Sequence, residues 1–435
     1  MAFQVPDSSA AKTAPEQPTR VRYWVVVFAV ALAVITYIDR ICLGFAAPFM
    51  RDALHLSQVQ MGMAFSAFGW AYAAFEIPGG FLGDWIGPRR VLMRIVMWWS
   101  VFTAVTGRAW SFASLATSQF LFGMGEAGCF PNLTKAFTTW LPERERVKAQ
   151  GIMWLSARWG GAFTPLLVWL VMQWVGWRNS FAVFGCLGIT WAILFFLWYR
   201  DDPLRNPKLN QAERDLLRES SKLASGHGDV PWGKFVASRQ VWLLCWQYFC
   251  LSYGWYFYIT WLPTYLKEAR HLAFTSSTAL LNALPLFCGG LGNPAAVWLM
   301  GRLMRITHDV GSTRRIVAYL GFAGAAGFLA FSTTVHNPLL AMISIGLASF
   351  CNDLVMPGSW GAAMDVGGKH AGTLSGAMNT CGNVGGAMCP LVIGFILDRT
   401  HKNWDLTFYI SAAIYLLGIV CWRFLDPVTP LEAES

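Results

Sequence analysis

Several apolar runs in this chain carry ionisable residues where an ordinary membrane helix has none. The stretch from Gln119 to Lys148 places Glu126 in the middle of an apolar helix, about two turns after Gln119, so both side chains point nearly the same way. TYIDRICLGF sets Tyr37, Asp39 and Arg40 inside another run, and GIMWLSARWGGAFTPLL holds Arg158. LASFCNDLVMPGSW adds Asn352 and Asp353, followed by Trp360. A carboxylate in mid-span costs roughly 2.5 kcal/mol or more on insertion scales, so each such group is a functional candidate. The chemistry available is proton binding by Glu126 and Asp39. Arg40 can grip an oxyanion, because a guanidinium fork matches a carboxylate. The alternative for Glu126 is a structural carboxylate bonded to backbone or to a buried Arg; for Asp39 and Arg40 it is a mutual structural ion pair, or a position near the outer interface where both stay wet. Asp353 is a further proton-site candidate, or a structural partner for Asn or Tyr.

A buried Arg158 needs a partner, and by depth Glu126 on the preceding helix is the nearest candidate; the same guanidinium can contact substrate, serve as that structural partner, or do both. Tyr253 and Tyr256 in LSYGWYFYITWLPTYLKE stand i, i+3, and their hydroxyls and ring faces suit a polyhydroxylated ligand as well as they suit packing. Asn379 and Asn383 stand i, i+4 in GTLSGAMNTCGNVGGAMCPLVIG, among small residues that let helices approach closely. Their amides can bind substrate hydroxyls or join helices, and Asn379 is the stronger substrate candidate.

These residues need a membrane bundle to hold them. The 435 residues are 55% hydrophobic and only 13% charged, about half the usual charged share. Twelve spans of about 20 residues fit the pattern, near 23–48, 60–82, 91–107, 112–140, 149–174, 177–199, 240–266, 275–300, 315–333, 337–360, 371–397 and 404–424. Pro263 should kink or end the seventh, and Pro285 and Pro294 should break or kink the eighth. Lys and Arg crowd alternate loops, which puts both termini in the cytoplasm of a cell with this chain in its inner membrane. The net charge of +9 follows from that topology and implies no nucleic-acid partner. The ten cysteines are scattered, without metal-ligand spacing, and read as small buried hydrophobes.

The expected organisation is a cytoplasmic tail (1–22), a six-helix half (23–199), a central cytoplasmic loop (200–238), a second six-helix half (239–425) and a tail (426–435). QAERDLLRES in the central loop reads as a short surface helix. Two halves around a central loop suit a parallel-repeat transporter with its site at the midplane. No HExxH, GxSxG or paired-acid motif supports an enzyme, and the seven histidines fall in loops. The central loop is too short to argue well for a membrane sensor.

After the second span, GGFLGDWIGPRRVL supplies Gly80, Asp84, Gly87, Arg89 and Arg90. It resembles the G-x-L-A-D-R-x-G-R-R motif of the major facilitator superfamily, which in that family latches the cytoplasmic side. Trp85 and Pro88 depart from the pattern. The second-half counterpart, WLMGRLMRITHDVGSTRR, keeps basic residues and reads as lacking an acid in the turn after Gly301. GMGEAGCFPNLTKAFTTWLPERERVKAQG, GWRNSFAVFGCLGITWA, YGWYFYITWLPTYL and the Asn/Gly-rich eleventh span together resemble the anion:cation symporter family, from about residue 22 to 425.

The resemblance implies an all-α membrane protein of twelve transmembrane helices in two halves, the major facilitator fold. It implies proton-coupled import of an organic anion, a sugar acid above all, by a monomer using no cofactor but the proton. An exchanger or exporter of the same fold is the alternative. By the same resemblance, Asp39 and Glu126 bind protons, while Arg40, Tyr37 and an asparagine of the eleventh span contact substrate. The family usually has an Arg where this chain has Gln119, and often a Gln near Arg158. A swap, with Arg158 supplying the cation lost at position 119, is the expectation that follows.

Overall fold

In an apolar surrounding the backbone must bond to itself, and a helix does so within each segment. The computed structural model describes residues 17–221, 232–367 and 371–431. All regular structure there is helical. The first half is α1 (Trp24–Leu54), α2 (Gln58–Ile86), α3 (Pro88–Thr106), α4 (Phe112–Glu126), α5 (Cys129–Trp140) and α6 (Glu143–Trp198). The connection carries α7 (Gln211–Ser221) and α8 (Trp232–Ala237). The second half is α9 (Arg239–Thr260), α10 (Leu262–Glu268), α11 (Ser276–Thr307), α12 (Val310–Thr334), α13 (Pro338–Gly367), α14 (Ala371–Arg399) and α15 (Trp404–Phe424).

Among the described residues, seven helices are long and apolar enough to cross a membrane, and α6 is long enough to do so twice. At Gly176 the backbone takes φ +73° and ψ 165°, and the chain reverses. Arg178 beside it donates to the carbonyls of Gly107 and Ala109 between α3 and α4. The far ends of both arms return to the start of α1, through Glu145 on Arg22 and the Trp191 indole on the Phe28 carbonyl. The remaining crossings are α2, α3 and the two-piece helices α4–α5 and α9–α10, which completes twelve spans in two six-helix halves. Helix starts are capped by their own sequence: Ser57 with Gln60 at α2, Ser111 with Ser114 at α4, and Thr275, Asp309 and Asn403 at α11, α12 and α15. Trp85, Trp110 and Trp174 stand far out at span ends, as an interfacial aromatic belt requires.

The seventh span breaks at Trp261 just before Pro263, as expected; of the two outcomes expected for Pro285 and Pro294, the break does not occur, since α11 runs through both. Its length also moves the following turn to residues 308–309, where Asp309 bonds the N–H groups of Gly311 and Ser312. The expected lack of an acid in that turn is therefore corrected. The fourth span is not continuous: α4 ends on Glu126, and α5 begins at Cys129. QAERDLLRES does form a helix, α7. Described histidines 55, 271, 308, 336 and 401 lie outside helices, while His227 and His370 lie outside the described residues.

The halves meet along α2 against α14, α1 against α9 and α10, and α6 against α11. Small residues permit the approach; a Cβ at Gly69 would fall 2.7 Å from that of Ala387. At the end remote from the chain termini, ion pairs bridge the seam. Arg51 pairs with Glu268, and Lys267 lies 2.8 Å from Asp52. The backbone N–H groups of Gln58 and Val59 donate to Asp398, each at 3.1 Å. At the terminal end the described ion pairs stay within one half or its connection, as in Arg314–Asp365.

Arg22 is the strongest tie at that end. It pairs with Glu145 and with the fully buried Glu213 of α7, each at 3.0 Å, and so docks the connection onto the first half. Glu213→Ala removes one of the two carboxylates on Arg22 and leaves the guanidinium on Glu145 alone. It should release α7 and speed tryptic cleavage of the connection; wild-type cleavage rates would contradict this docking. The hydrogen bond from Arg22 holds the Glu145 carboxyl below its ordinary range. A lowered carboxyl contributes stability above its unfolded pKa and loses it as pH falls through the folded one. The Arg22–Glu145 contact should therefore persist at neutral pH and fail only below the ordinary carboxylate range, as hydrogen exchange at the start of α6 would report.

Candidate functional site

The site grows from the break in the fourth span. Ending α4 at Glu126 leaves its carboxylate, fully buried, pointing at α1. There it meets Arg40, whose Nε lies 2.6 Å and Nη2 2.5 Å from the same oxygen, Oε1. The other oxygen, Oε2, has no protein partner. Arg40 lies over the rings of Tyr72 and Phe68 on α2, with centroids 4.8 Å and 5.1 Å from its Cζ, and 5.8 Å from the Tyr37 ring. Asp39 turns the other way, toward the Trp99 indole of α3, and makes no ion pair among the described residues. The two neighbours on α1 thus serve different faces, as one-residue helical spacing dictates.

Arg158 does not pair with Glu126. It crosses to the second half, where Nη2 donates to Asp353 on α13 at 3.2 Å. Asn352 donates to the same Asp353 oxygen at 3.0 Å. Nor does Arg158 replace a cation at position 119. The Gln119 amide donates to Thr106 on α3 at 2.9 Å, away from Glu126, and Arg40 is the cation Glu126 uses. The expected swap is corrected: each arginine has its own acid. The shared direction expected of Gln119 and Glu126 fails because the two side chains find partners on different helices.

Tyr37 links the two pairs. Its ring packs edge-on against Trp255 at 5.9 Å, and the Arg158 Cζ lies 4.7 Å from the Trp255 ring. Tyr256 faces the Arg40 side, with its ring against Gly386 of α14. Tyr253 turns instead toward Cys389 and stacks near Phe249. The two tyrosines expected to act as one face are therefore divided. Trp360 donates its indole N–H to the Tyr248 hydroxyl at 3.2 Å. Tyr248 escaped the sequence reading, since nothing in its surroundings sets it apart from packing aromatics.

Asn379 and Asn383 do share a face, and it meets an acid that the sequence reading passed over. Asn379 donates to Glu76 Oε1 at 2.5 Å and Asn383 to Oε2 at 3.0 Å. Glu76 is on α2 and only 9% exposed, so this is a carboxylate in one half clasped by two amides of the other. The signal was present: a lone acid in AYAAFEIPGG, an apolar run.

The Gly-Arg motif closes the α2–α3 turn. Gly87 takes φ +84°, Pro88 opens α3, and the Arg89 backbone N–H bonds Asp201 while its side chain donates to the Phe196 carbonyl. Gly80 packs on Pro131, and Arg90 is exposed. The Asp84 side chain lies outside the described residues. All ten cysteines are free thiols.

Two six-helix halves with buried ion pairs on and beside their seam define a membrane transporter. The chain belongs to the Major Facilitator Superfamily, whose family model matches residues 29–390. It is 34% identical to the probable sulfoacetate transporter SauU of Cupriavidus necator, over 97% of both chains. It is 30% identical to the probable galactarate/D-glucarate transporter GudP of Escherichia coli, over 93% of both. Among solved structures it matches the inward-facing bacterial homologue of the human lysosomal transporter Spinster, with TM-score 0.71 at 18% identity, over 94% of this chain and 96% of that one.

Glu76→Leu removes the acceptor for both amides. Hydrogen bonds to a charged group contribute roughly 1.5–3 kcal/mol each, so the thermal midpoint in detergent should fall clearly. A midpoint equal to wild type would show that the clasp contributes nothing to holding the halves.

Proposed function

We propose that this transporter imports a small organic anion together with protons, by alternating access, with sugar acids and related oxyanions as its substrate class. The observation that carries the reading is the buried Arg40–Glu126 pair. An arginine in an apolar bundle must keep a counter-charge, and here that charge sits on a group able to accept a proton. When Glu126 takes a proton, Arg40 loses its partner and is left to an incoming carboxylate. When the proton leaves, Glu126 reclaims Arg40 and the anion is released. Asp39, buried beside the Trp99 indole on another face of α1 and without an ion pair among the described residues, is the second proton carrier.

Tyr37 and Tyr256 line the Arg40 side, where their rings and hydroxyls suit a polyhydroxylated chain. The names of the similar proteins, for sulfoacetate and for galactarate or glucarate, fall in the same oxyanion class. The Lys/Arg pattern supports cytoplasmic termini in the inner membrane. The bridged seam is then the periplasmic one, held by Arg51–Glu268 and Lys267–Asp52. Nothing but the proton is needed as a cofactor, and a monomer contains the whole site.

Purified protein in liposomes with an internal pH dye tests this. One or more of galactonate, glucuronate, galacturonate and glucarate should acidify the interior, and Glu126→Gln should abolish that signal while labelled substrate still exchanges. Label exchange by the wild type without acidification would instead make the protein an exchanger.

A further inference from the structure

The Arg158–Asp353 pair repeats, across the seam, the arrangement that Arg40 and Glu126 make within one half. In both pairs the guanidinium contacts one carboxylate oxygen and leaves the other unused. Asp353 Oδ2 and Arg158 Nη1 have no protein partner, although Arg158 is 8% exposed and Asp353 fully buried. A buried ion pair that serves only stability should have its remaining lone pairs and protons satisfied. This one keeps an open donor and an open acceptor, with the Ser349 hydroxyl and the Asn352 carbonyl beside it, also without partners.

Glycines of α11 let its backbone approach these groups closely, where any side chain would press on them. A Cβ at Gly289 would fall 2.7 Å from the Ser349 hydroxyl and 3.2 Å from Asp353 Oδ2, and one at Gly292 would fall 2.9 Å from the Asp353 Cβ. The ladder Tyr37–Trp255 connects this pair to Arg40, with Arg40 over the first ring and Arg158 over the second.

We propose that Arg158 and Asp353 form a second oxyanion port, so that the site takes a small dianion with one anionic end on each arginine. This rests on the proposed reading of Arg40 and Glu126 as the first port. The charge balance supports it. Within the two pairs, two arginines and two ionised acids are neutral together, so a dianion held on both arginines leaves these four groups without excess charge only when both acids are protonated; the buried carboxyls of Asp39 and Glu76 stand outside the pairs. A monoanion displaces one acid and leaves the other pair intact. The groups facing Asp353 are Arg158 from α6, Tyr248 and Tyr258 from α9, Tyr415 from α15 and Asn352 on its own helix. Arg158 is the only cation among these, so a proton on Asp353 leaves it for the ligand. Because Arg158 and Asp353 belong to different halves, filling the second port also removes a tie across the seam. A dianion thereby couples its own binding to the motion that carries it.

Equilibrium binding to the full-length protein, by calorimetry in detergent at mildly acidic pH, decides the matter with two matched pairs. These are D-glucarate against D-gluconate, and sulfoacetate against acetate. In at least one pair the dianion should bind tenfold or more tighter than its monoanion. Arg158→Gln should erase that preference and leave monoanion binding within twofold. Asp353→Asn keeps the guanidinium and frees it, so the preference should survive and extend to neutral pH. A wild type that binds no dianion above its partner overturns the second port. So does an Arg158→Gln variant that, eluting as a monodisperse protein, keeps the preference or loses both ligands equally. Failure of the proton-coupled reading shows separately, as liposomes that no anion acidifies.

Discussion

A guanidinium cannot lie in an apolar bundle without a counter-charge, and that constraint organises this molecule. Arg40 and Arg158 each hold one acid, and each acid engages only one of its two oxygens. The pairs differ in where their members stand. Arg40 and Glu126 both belong to the first half, so their exchange is a local event. Arg158 and Asp353 belong to opposite halves, so theirs is a change in how the halves are joined. The Glu76 clasp and the remote-end ion pairs are further ties across the same seam. Motion of the halves against each other must break some of these ties.

Much of the architecture was legible because a bilayer makes strong demands. Apolar runs near the length of a crossing, basic residues in alternate loops and a long central connection leave few alternatives to two six-helix halves. The individual charged residues were legible too, since an ionisable group in an apolar run is conspicuous. Their partners were not. Glu126 finds Arg40, 86 positions away, and Arg158 finds Asp353, 195 positions away. Depth in the membrane narrows such choices, but rotation about each helix axis makes them, and that is set by packing. The Gln119–Glu126 relation failed for this reason: two turns of helix align two residues only roughly, and neighbouring helices then take each side chain its own way.

Prolines show the same limit. Pro263 coincides with a break, whereas Pro285 and Pro294 sit inside a continuous α11. Neighbouring helices can re-satisfy the groups that a proline frees in a membrane span, so the residue permits a break without requiring one. Glu76 was missed for a different cause. Its run leads straight into the glycine-rich turn, and the stronger local pattern claimed the segment. Judged by charge in an apolar run alone, it stands with Asp39, Glu126 and Asp353.

The central claim is that Glu126 and the transported anion compete for Arg40. The most direct measurement is the affinity of the transported anion as a function of pH, for the wild type and for Glu126→Gln, by calorimetry. A monoanion is the better probe, because it engages Arg40 alone. The account predicts that wild-type affinity falls as pH rises, while the variant binds at the wild type's low-pH affinity across the range. A variant that binds no anion, or one whose affinity follows pH as the wild type's does, would contradict it.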